Sequence, residues 1–319
     1  MALNIIDTIG NTPYVVVDSL PNYYAKLEGT NPFGSIKDRA AIYVMQKGYE
    51  QGIISKKTEI IESSSGNFAI ALAAVCQLFG NKFTCVVDPN LTPLNQLILQ
   101  SYGAKIVMAS HADENGSFLR NRLDIVKDLI KKNPNLYWTN QYDNKTIREA
   151  YSNTIGKELI RDFQAIDFLF IPVSTCGTIS GLSKKMKEAY PSIKIIAVDI
   201  VGSKIFDNHT KEKRYVPGMG ASITPGNLNY AIIDEIVLVS EKEAINHCRS
   251  LLKKSILVGG SSGATSAAIE KYFDKSDMRK TIVAIFPDRG ERYFSNIFND
   301  AWCDEKILKK RETDVYAIR

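Results

Sequence analysis

The sequence has few of the residues that build metal centres and disulfide frameworks. It contains three histidines, which lie far apart, and five cysteines, an odd number without a CxxC pair. We therefore expect neither a disulfide framework nor a metal site, and this cysteine usage fits a reducing cytosol. The nucleotide-binding patterns GxxxxGK[ST] and GxGxxG are also absent, which argues against ATP or NAD as the ligand.

Long apolar runs are absent as well, so we expect no membrane-spanning segment. The start, MALNIIDTIGNTP, has no basic segment leading into an apolar one, so no secretory signal is predicted and the cytoplasm is the expected location. The net charge is +5, and the densest basic run is 309–311. A nucleic-acid partner would need a denser basic stripe or a known module, so none is expected.

The composition that remains is that of a folded enzyme-sized chain. Hydrophobic residues make up 45% of the 319 residues and charged residues 24%, which predicts a packed core and about two domains. Buried strands are predicted from short β-branched runs at 58–63, 82–88, 104–110, 167–174, 193–200, 234–240 and 280–288. Helices with a 3.6-residue pattern lie between most of them, for example at 67–80, 117–132, 178–190 and 262–273. This alternation predicts an α/β fold with mostly parallel sheets.

Three strand-to-helix loops are rich in small and hydroxyl residues: SSSGN (63–67), STCGT (174–178) and GGSSGA (259–264). In open α/β sheets, ligands bind beyond the carboxyl ends of the strands, where these loops lie. Any one of them is explained by helix capping alone. Together they indicate anion sites at helix N-termini, for a cofactor phosphate and a substrate carboxylate. A polar segment at 142–154 is a predicted crossing between domains, and 207–222 is a predicted functional loop.

A single lysine, Lys37, stands at the predicted start of a helix in NPFGSIKDRA (31–40). The positive end of the helix dipole disfavours a cation there. A surface lysine is the simple interpretation. The alternative is an amine with a lowered pKa, which acts as a nucleophile or forms an imine with an aldehyde such as pyridoxal phosphate.

Five motifs carry a resemblance to a known family: NPFGSIKDRA, SSSGNFAIALA, STCGTISGLSKKMK, VPGMGAS and GGSSGA. In order and spacing the sequence, from IGNTP (9–13) to PDRGERY (287–293), resembles the cysteine synthase and cystathionine β-synthase family of fold-type II pyridoxal-phosphate enzymes. The resemblance implies two three-layer αβα domains with mostly parallel sheets, like the tryptophan synthase β-subunit. The smaller, mobile domain would be 36–146, and the larger, cofactor-holding domain would comprise 1–35 and 147–319. It also implies a homodimer.

The resemblance implies a role for each matching residue. Lys37 would form the Schiff base with pyridoxal 5'-phosphate and move the α-proton, and Asn67 would contact the cofactor ring oxygen and the substrate. Ser261 would meet the pyridine nitrogen. The cofactor phosphate would be held by Ser174, Thr175, Cys176, Gly177 and Thr178. The amino-acid substrate would be bound by Ser64, Ser65, Gly66 and Asn67 at its α-carboxylate, and by Gly218, Met219 and Gly220 along its side.

Some residues depart from the usual cysteine synthase pattern. Tyr142 and Ser174 each add a hydroxyl, and Arg122 adds a guanidinium that can bind phosphate or carboxylate. These features are similar to those of the siderophore-pathway (staphyloferrin B-type) synthases of N-(2-amino-2-carboxyethyl)-L-glutamate. That likeness implies β-replacement on O-phospho-L-serine by the amine of L-glutamate, giving a precursor of 2,3-diaminopropionate.

Alternatives stay open at this stage. Tyr142 can be a core tyrosine, Arg122 can belong to a solvated helix face, and Cys176 can be a space-filling residue or a redox-sensing thiol. The activity can instead be that of a cysteine synthase that uses O-acetylserine or O-phosphoserine with sulfide, or of a serine or threonine dehydratase. A non-catalytic binding protein with the same fold is the alternative from a different class.

Overall fold

The computed structural model describes residues 4–17, 22–113, 116–207, 210, 213–273 and 280–308. The strands are β1 (Tyr14–Val16), β2 (Tyr23–Leu27), β3 (Glu59–Ser63), β4 (Phe83–Val87), β5 (Lys105–Met108), β6 (Leu136–Trp138), β7 (Phe168–Pro172), β8 (Lys194–Ile200), β9 (Glu235–Val239) and β10 (Ile282–Phe286). The helices are α1 (Lys37–Glu50), α2 (Asn67–Phe79), α3 (Pro93–Ser101), α4 (Leu119–Lys132), α5 (Lys145–Asn153), α6 (Ile155–Asp162), α7 (Gly177–Ala189), α8 (Glu241–Lys253), α9 (Gly260–Tyr272) and α10 (Asp300–Cys303).

The strands form two sheets. The larger has the order β1-β2-β10-β7-β8-β9, and the smaller has the order β5-β4-β3-β6. Every pairing is parallel except that of β1 with β2. The α/β class with mostly parallel sheets is thus confirmed. Because the strands that precede the helices run parallel within each sheet, the helix-opening loops of a sheet gather at one edge.

All seven predicted strands and all four predicted helices form, with ends that differ by at most two residues. The predicted crossing at 142–154 is largely helix α5, and the chain does pass there from the smaller sheet to the larger. The described part of loop 207–222 contains neither helix nor strand. The basic run at 309–311 lies outside the described residues.

Helix α2, which follows the SSSGN loop, is the most apolar of the described helices. Every residue from Phe68 to Cys76 is buried, which is the pattern of a helix packed on all sides. Gly80 ends it in the left-handed region (φ 75°), where glycine carries no steric cost. The start of this helix is thereby held rigidly beneath the SSSGN loop.

Helix α1 is anchored by a buried cluster of charges. The Arg39 guanidinium lies within 2.6 Å of Glu28 and 2.5 Å of Glu158, and Lys26 lies 2.9 Å from Glu158. All four side chains are at most 9% exposed. Burial raises the pKa of Glu158, but hydrogen bonds and charges from Arg39 and Lys26 outweigh it and lower the value to about 2. The cluster ties α1 to β2 and α6, two residues after Lys37.

The IGNTP motif closes this charge cluster. The Asn11 amide donates to Glu158 at 2.9 Å, the Thr12 hydroxyl donates to Glu28 at 2.6 Å, and Lys26 donates to the Thr12 carbonyl at 3.0 Å. Buried charges are tolerated only when paired and fully hydrogen-bonded. The motif therefore supplies the remaining partners that the charges need.

All five cysteines are free and buried. In the described part of the chain, no helix combines the length and hydropathy that a membrane crossing requires.

Candidate active site

A cavity of about 250 Å³ lies where the helix-opening loops of both sheets meet. The residues predicted from sequence that line it are Lys37, Ser64, Ser65, Gly66, Asn67, Arg122, Tyr142, Ser174, Thr175, Cys176, Thr178, Gly218 and Ser261. These residues come from motifs as distant in sequence as positions 37 and 261, and the fold places them around one cavity. Gly177, Met219 and Gly220 do not line the cavity.

Lys37 is the first residue of α1 and lies on the cavity wall. Its Nζ is 3.5 Å from the Thr175 hydroxyl and 5.9 Å from the centre of the Tyr151 ring. Burial lowers the pKa of Lys37 to about 8, against the opposing effects of Cys176 and Asp288. The sequence predicted a lowered pKa from the helix dipole, and the structure gives burial as the main cause. With this pKa about a tenth of the amine is neutral at pH 7, a far larger nucleophilic fraction than for an ordinary lysine.

The SSSGN loop joins β3 to α2 and places its backbone at the helix start. Asn67 is the first helical residue, and its amide is fixed at both ends. Its Nδ2 donates to Asp288 Oδ2 at 2.7 Å, and its Oδ1 accepts from Arg292. Backbone N–H groups at a helix N-terminus bind carboxylates, which fits the role predicted for Ser64, Ser65 and Gly66.

The STCGT loop joins β7 to α7 in the same manner. Cys176 is the residue before the helix and has φ 59°, in the left-handed region that favours glycine. This turn directs the N-terminus of the 13-residue helix α7 toward the cavity, next to the hydroxyls of Thr175 and Thr178. The side chain of Cys176 is 3% exposed, and burial raises its pKa to about 12. A thiol in this state is protonated and unreactive, which favours a space-filling role over redox sensing.

Ser174 ties the two sides of the cavity mouth together. Its hydroxyl donates to the Gly220 carbonyl at 2.9 Å, and the Gly220 amide donates to the Val173 carbonyl at 3.1 Å. Because a hydroxyl has one proton, Ser174 offers the cavity only acceptor lone pairs, whereas the sequence predicted an added donor. The Met219 side chain is 3% exposed and packs in the core. Met219 and Gly220 thus support the loop in this structure, and their contact with substrate stays a prediction.

Arg122 does not belong to a solvated helix face. Its side chain is 11% exposed, Nη1 lies 3.2 Å from Asp88, and Nε is buried with no hydrogen-bond partner among the described residues. Its neighbour Arg120 is exposed. Tyr142 also lines the cavity, and burial raises the pKa of its phenol, so the hydroxyl keeps its proton. Both side chains therefore present donors to the cavity.

Ser261 lies in the first turn of α9 and is 7% exposed. Its carbonyl accepts a hydrogen bond from Thr265 at 2.9 Å within the helix. The hydroxyl of Ser261 thus stands on a rigid helix start at the cavity wall, as its predicted contact with a ring nitrogen requires.

Sequence reasoning missed two buried residues that contact the loops of the cavity. Asn227 is fully buried, and its Nδ2 donates to the carbonyls of Gln141 (2.8 Å) and Thr175 (2.9 Å). It thereby locks two cavity loops together. Asp288 is 2% exposed and accepts from Asn67 and, at 2.5 Å, from the Tyr293 hydroxyl. Burial raises the pKa of Asp288. The PDRGERY motif was the only available signal for Asp288.

A family model described as "Pyridoxal-phosphate dependent enzyme" matches residues 5–288. The chain belongs to this family of pyridoxal-phosphate dependent enzymes. The enzyme class and the cofactor predicted from the sequence are thereby confirmed. Three solved structures are also similar to this enzyme over nearly their whole length.

The first is a hydrogen sulfide-producing enzyme from Fusobacterium nucleatum, with 31% identity and a TM-score of 0.84, covering 92% of this chain and 100% of that one. The second is an O-acetylserine dependent cystathionine beta-synthase from Helicobacter pylori, with 30% identity and a TM-score of 0.83 over 93% and 98%. The third is O-acetyl serine sulfhydrylase isoform 3 from Entamoeba histolytica, with 27% identity and a TM-score of 0.84 over 97% of each chain. These relatives place the enzyme among synthases of the β-replacement type.

The residues of the cavity fit pyridoxal phosphate. Lys37 supplies an amine of lowered pKa for the aldehyde. The start of α7, with Thr175 and Thr178, has the donors that a phosphate needs, and Ser261 is a neutral partner for a ring nitrogen. Among the described residues that line the cavity, Asp288 is the one acidic side chain.

Proposed function

We propose that the enzyme joins O-phospho-L-serine to L-glutamate, giving N-(2-amino-2-carboxyethyl)-L-glutamate and phosphate. The product is a precursor of 2,3-diaminopropionate. The observation that carries this proposal is Arg122, a nearly buried guanidinium on the cavity wall whose Nε has no partner among the described residues. The guanidinium borders the cavity, and its N–H groups are donors of the kind that bind phosphate and carboxylate oxygens.

Lys37 would bind the cofactor and then hold the α-proton of the substrate. When bound, pyridoxal phosphate supplies an electron sink for the pair left at Cα. A pKa of about 8 lets Lys37 exchange a proton near neutral pH, since an efficient acid–base group has a pKa close to the working pH. The start of α2 would bind the α-carboxylate and keep the Cα–H bond directed at Lys37.

Phosphate leaves as a doubly charged anion, and L-glutamate brings two carboxylates. Acetate and sulfide, by comparison, demand fewer donors. Arg122 and Tyr142 would therefore recognise the charged leaving group and nucleophile. Ser174, as an acceptor, would suit the amine of the nucleophile, because an N–H group needs a lone pair to point at.

We also propose that residues 36–146 form a mobile domain that closes over the substrate. The four strands of the smaller sheet all lie within this range, and so does the SSSGN loop. Engagement of the α-carboxylate by this loop would draw the smaller sheet toward the larger one. An unchanged tryptophan fluorescence and scattering radius on adding O-phospho-L-serine would oppose closure. The homodimer and the cytoplasmic location likewise stay predictions.

A cysteine synthase is the second candidate. Its support is the similarity to structures named as a hydrogen sulfide-producing enzyme and an O-acetyl serine sulfhydrylase. In that case acetate or phosphate would leave and sulfide would add, and Arg122 would have only a structural role through Asp88.

A competition assay separates the two candidates. The purified enzyme with pyridoxal phosphate receives O-phospho-L-serine with equal concentrations of L-glutamate and sulfide, and products are identified by mass. We expect the amine-linked adduct with release of one phosphate per adduct. Cysteine as the main product would establish the second candidate instead. Pyruvate with ammonia, and no adduct, would indicate a dehydratase.

A further inference from the structure

Asp288 is a buried carboxylate on the cavity wall to which the proposed function gives no task. Its Oδ2 accepts from two donors, while its Oδ1 is buried with no partner among the described residues. Buried carboxylate oxygens are normally hydrogen-bonded, because an unpaired one has a desolvation cost of a few kcal/mol or more. The free oxygen indicates that a donor reaches it in some state of the enzyme.

The backbone brings Asp288 beside Lys37. Ile36 donates its amide proton to the Pro287 carbonyl at 2.8 Å, and Ser35 pairs with Asp288 as an antiparallel bridge. The charge of Asp288 favours the ammonium form of Lys37, so the two side chains interact across the cavity wall. Lys37 thus lies two residues from the bridge that positions Asp288, and its amine is a donor of the kind that the unpartnered oxygen lacks.

The chain also keeps space for this carboxylate. Gly259 packs against it, and a methyl group there would lie 2.2 Å from Asp288 Oδ1 and 2.6 Å from the Tyr293 ring. Contacts this short do not occur in folded proteins, so any larger residue would push Asp288 away. Glycine at position 259, just before α9, therefore allows the Asp288 carboxylate to keep its position.

We propose that Asp288 is a positioning residue with two tasks. Its Oδ2 holds the Asn67 amide in one orientation, and its Oδ1 receives the N–H of Lys37 whenever that nitrogen is an ammonium. The proposal rests on the proposed function, in which Lys37 takes the α-proton. In that step the Cα–H bond breaks, the N–H bond forms, and the electron pair stays with the substrate. Burial raises the pKa of Asp288, but hydrogen bonds from Tyr293 and Asn67 and the charges of Arg292 and Lys37 oppose this effect. In the proposed step Asp288 is the ionised group that supplies the counter-charge.

Asp288→Asn separates the two tasks. The asparagine has the same shape and still accepts from Asn67 with its oxygen, but it has no charge for Lys37. The charged and titratable groups that face Asp288 are Lys37, Arg292, Tyr293 and Cys248, and the substitution leaves them all in place. A change in the titration of Lys37 in this variant is therefore due to the lost carboxylate.

The first readout needs no substrate. The full chain, freed of cofactor, is labelled with an amine reagent across pH 6 to 10, and the Lys37 peptide is quantified by mass. We expect the parent to reach half-reactivity near pH 8 and Asp288→Asn to reach it about one pH unit lower, because removal of a nearby anion disfavours the ammonium. Superimposable profiles would overturn the proposal.

Asp199→Asn is the matched control. Asp199 is an equally buried carboxylate on β8 of the larger sheet, also with one oxygen unpartnered among the described residues, but it does not line the cavity. It should leave the Lys37 profile unchanged. An equal shift in both variants would mean that any buried charge affects Lys37, and the specific role of Asp288 would be refuted.

The second readout uses the enzyme with bound cofactor. Asp288→Asn should lower kcat at least tenfold and shift its pH dependence, with little change in KM for O-phospho-L-serine and an unchanged cofactor absorbance maximum. A rise in KM alone would assign Asp288 to substrate binding and overturn the proposal. The labelling experiment does not depend on which amino acids react. An absent glutamate adduct with a shifted Lys37 profile would therefore refute the proposed function and leave this inference standing.

Discussion

Replacing Glu158 by glutamine tests how the buried charge cluster holds the start of α1. The change removes one of two anions that face Arg39 and Lys26, leaving an uncompensated buried cation. The pKa of Glu158 falls from 4.5 to about 2, a difference of about 2.5 units, which corresponds to about 3 kcal/mol of stability at neutral pH. That figure lies at the lower end of the range measured when a buried ion pair loses one partner.

The sign of the pH dependence is fixed by the direction of the shift. Because the folded state lowers the pKa of Glu158, its contribution is complete above the unfolded value near 4.5 and is lost as pH falls toward 2. By linkage, about 2 of the 3 kcal/mol is gone at pH 3. The difference between the parent and Glu158→Gln should therefore shrink from pH 7 to pH 3.

Urea unfolding followed by circular dichroism at pH 7, 4 and 3 measures this difference. Glu50→Gln is the control, because Glu50 pairs with Lys47 at 2.6 Å on the surface with 60% of its side chain exposed. Exposed pairs of this kind contribute about 0.5 kcal/mol. If Glu158→Gln costs no more than Glu50→Gln, or if its cost does not change between pH 7 and pH 3, the reasoning about the cluster is refuted.

Three other substitutions give independent tests. Lys37→Ala should abolish the covalent link to pyridoxal phosphate, so borohydride fixes cofactor to the parent but not to the variant; fixation in the variant would exclude Lys37. Arg122→Ala should lower kcat/KM for O-phospho-L-serine about 10- to 100-fold, the loss expected for one charge-assisted hydrogen bond, whereas the exposed Arg120→Ala should leave it unchanged; equal effects would exclude a role for Arg122 in recognition. Gly259→Ala should lower the free energy of unfolding by about 1–3 kcal/mol through overpacking against Asp288, and an unchanged urea midpoint would contradict the close approach.

Most of the strands that sequence reasoning found (β3, β4, β7, β8 and β10) have β-branched runs buried on both faces, whereas β5 and β9 are partly exposed and were found from their apolar runs alone. Those it missed, β1, β2 and β6, are short or carry residues that do not look like a core. Lys26 sits in β2 with its side chain fully buried, because Glu158 and the Thr12 carbonyl satisfy its charge. No local sequence pattern predicts such a strand, because its burial depends on partners from elsewhere in the chain.

The residues of the candidate site also divide into those predictable from local motifs and those that depend on distant partners. Lys37, the two loops at helix starts and Ser261 were predictable, because each motif combines a residue type with a local turn that its chemistry needs. Asn227 and Asp288 were not, because their tasks exist only between segments that are distant in sequence. Asn67 and Asp288, for example, are 221 residues apart. Ser174 is a similar case: the sequence predicted a hydroxyl that donates into the cavity, but its proton is donated to the Gly220 carbonyl instead.

The position of β10 has a consequence for how the enzyme folds during its synthesis. This strand lies between β2 and β7, so the β1–β2 hairpin joins the larger sheet only through it. A nascent chain can close the smaller sheet early, since its strands lie within residues 59–138. It cannot assemble the wall around Lys37 until residue 288 has left the ribosome. Lys37 is therefore synthesised early but loses its ordinary, high pKa only when burial is complete, which limits its reaction with free aldehydes while the chain is partly folded.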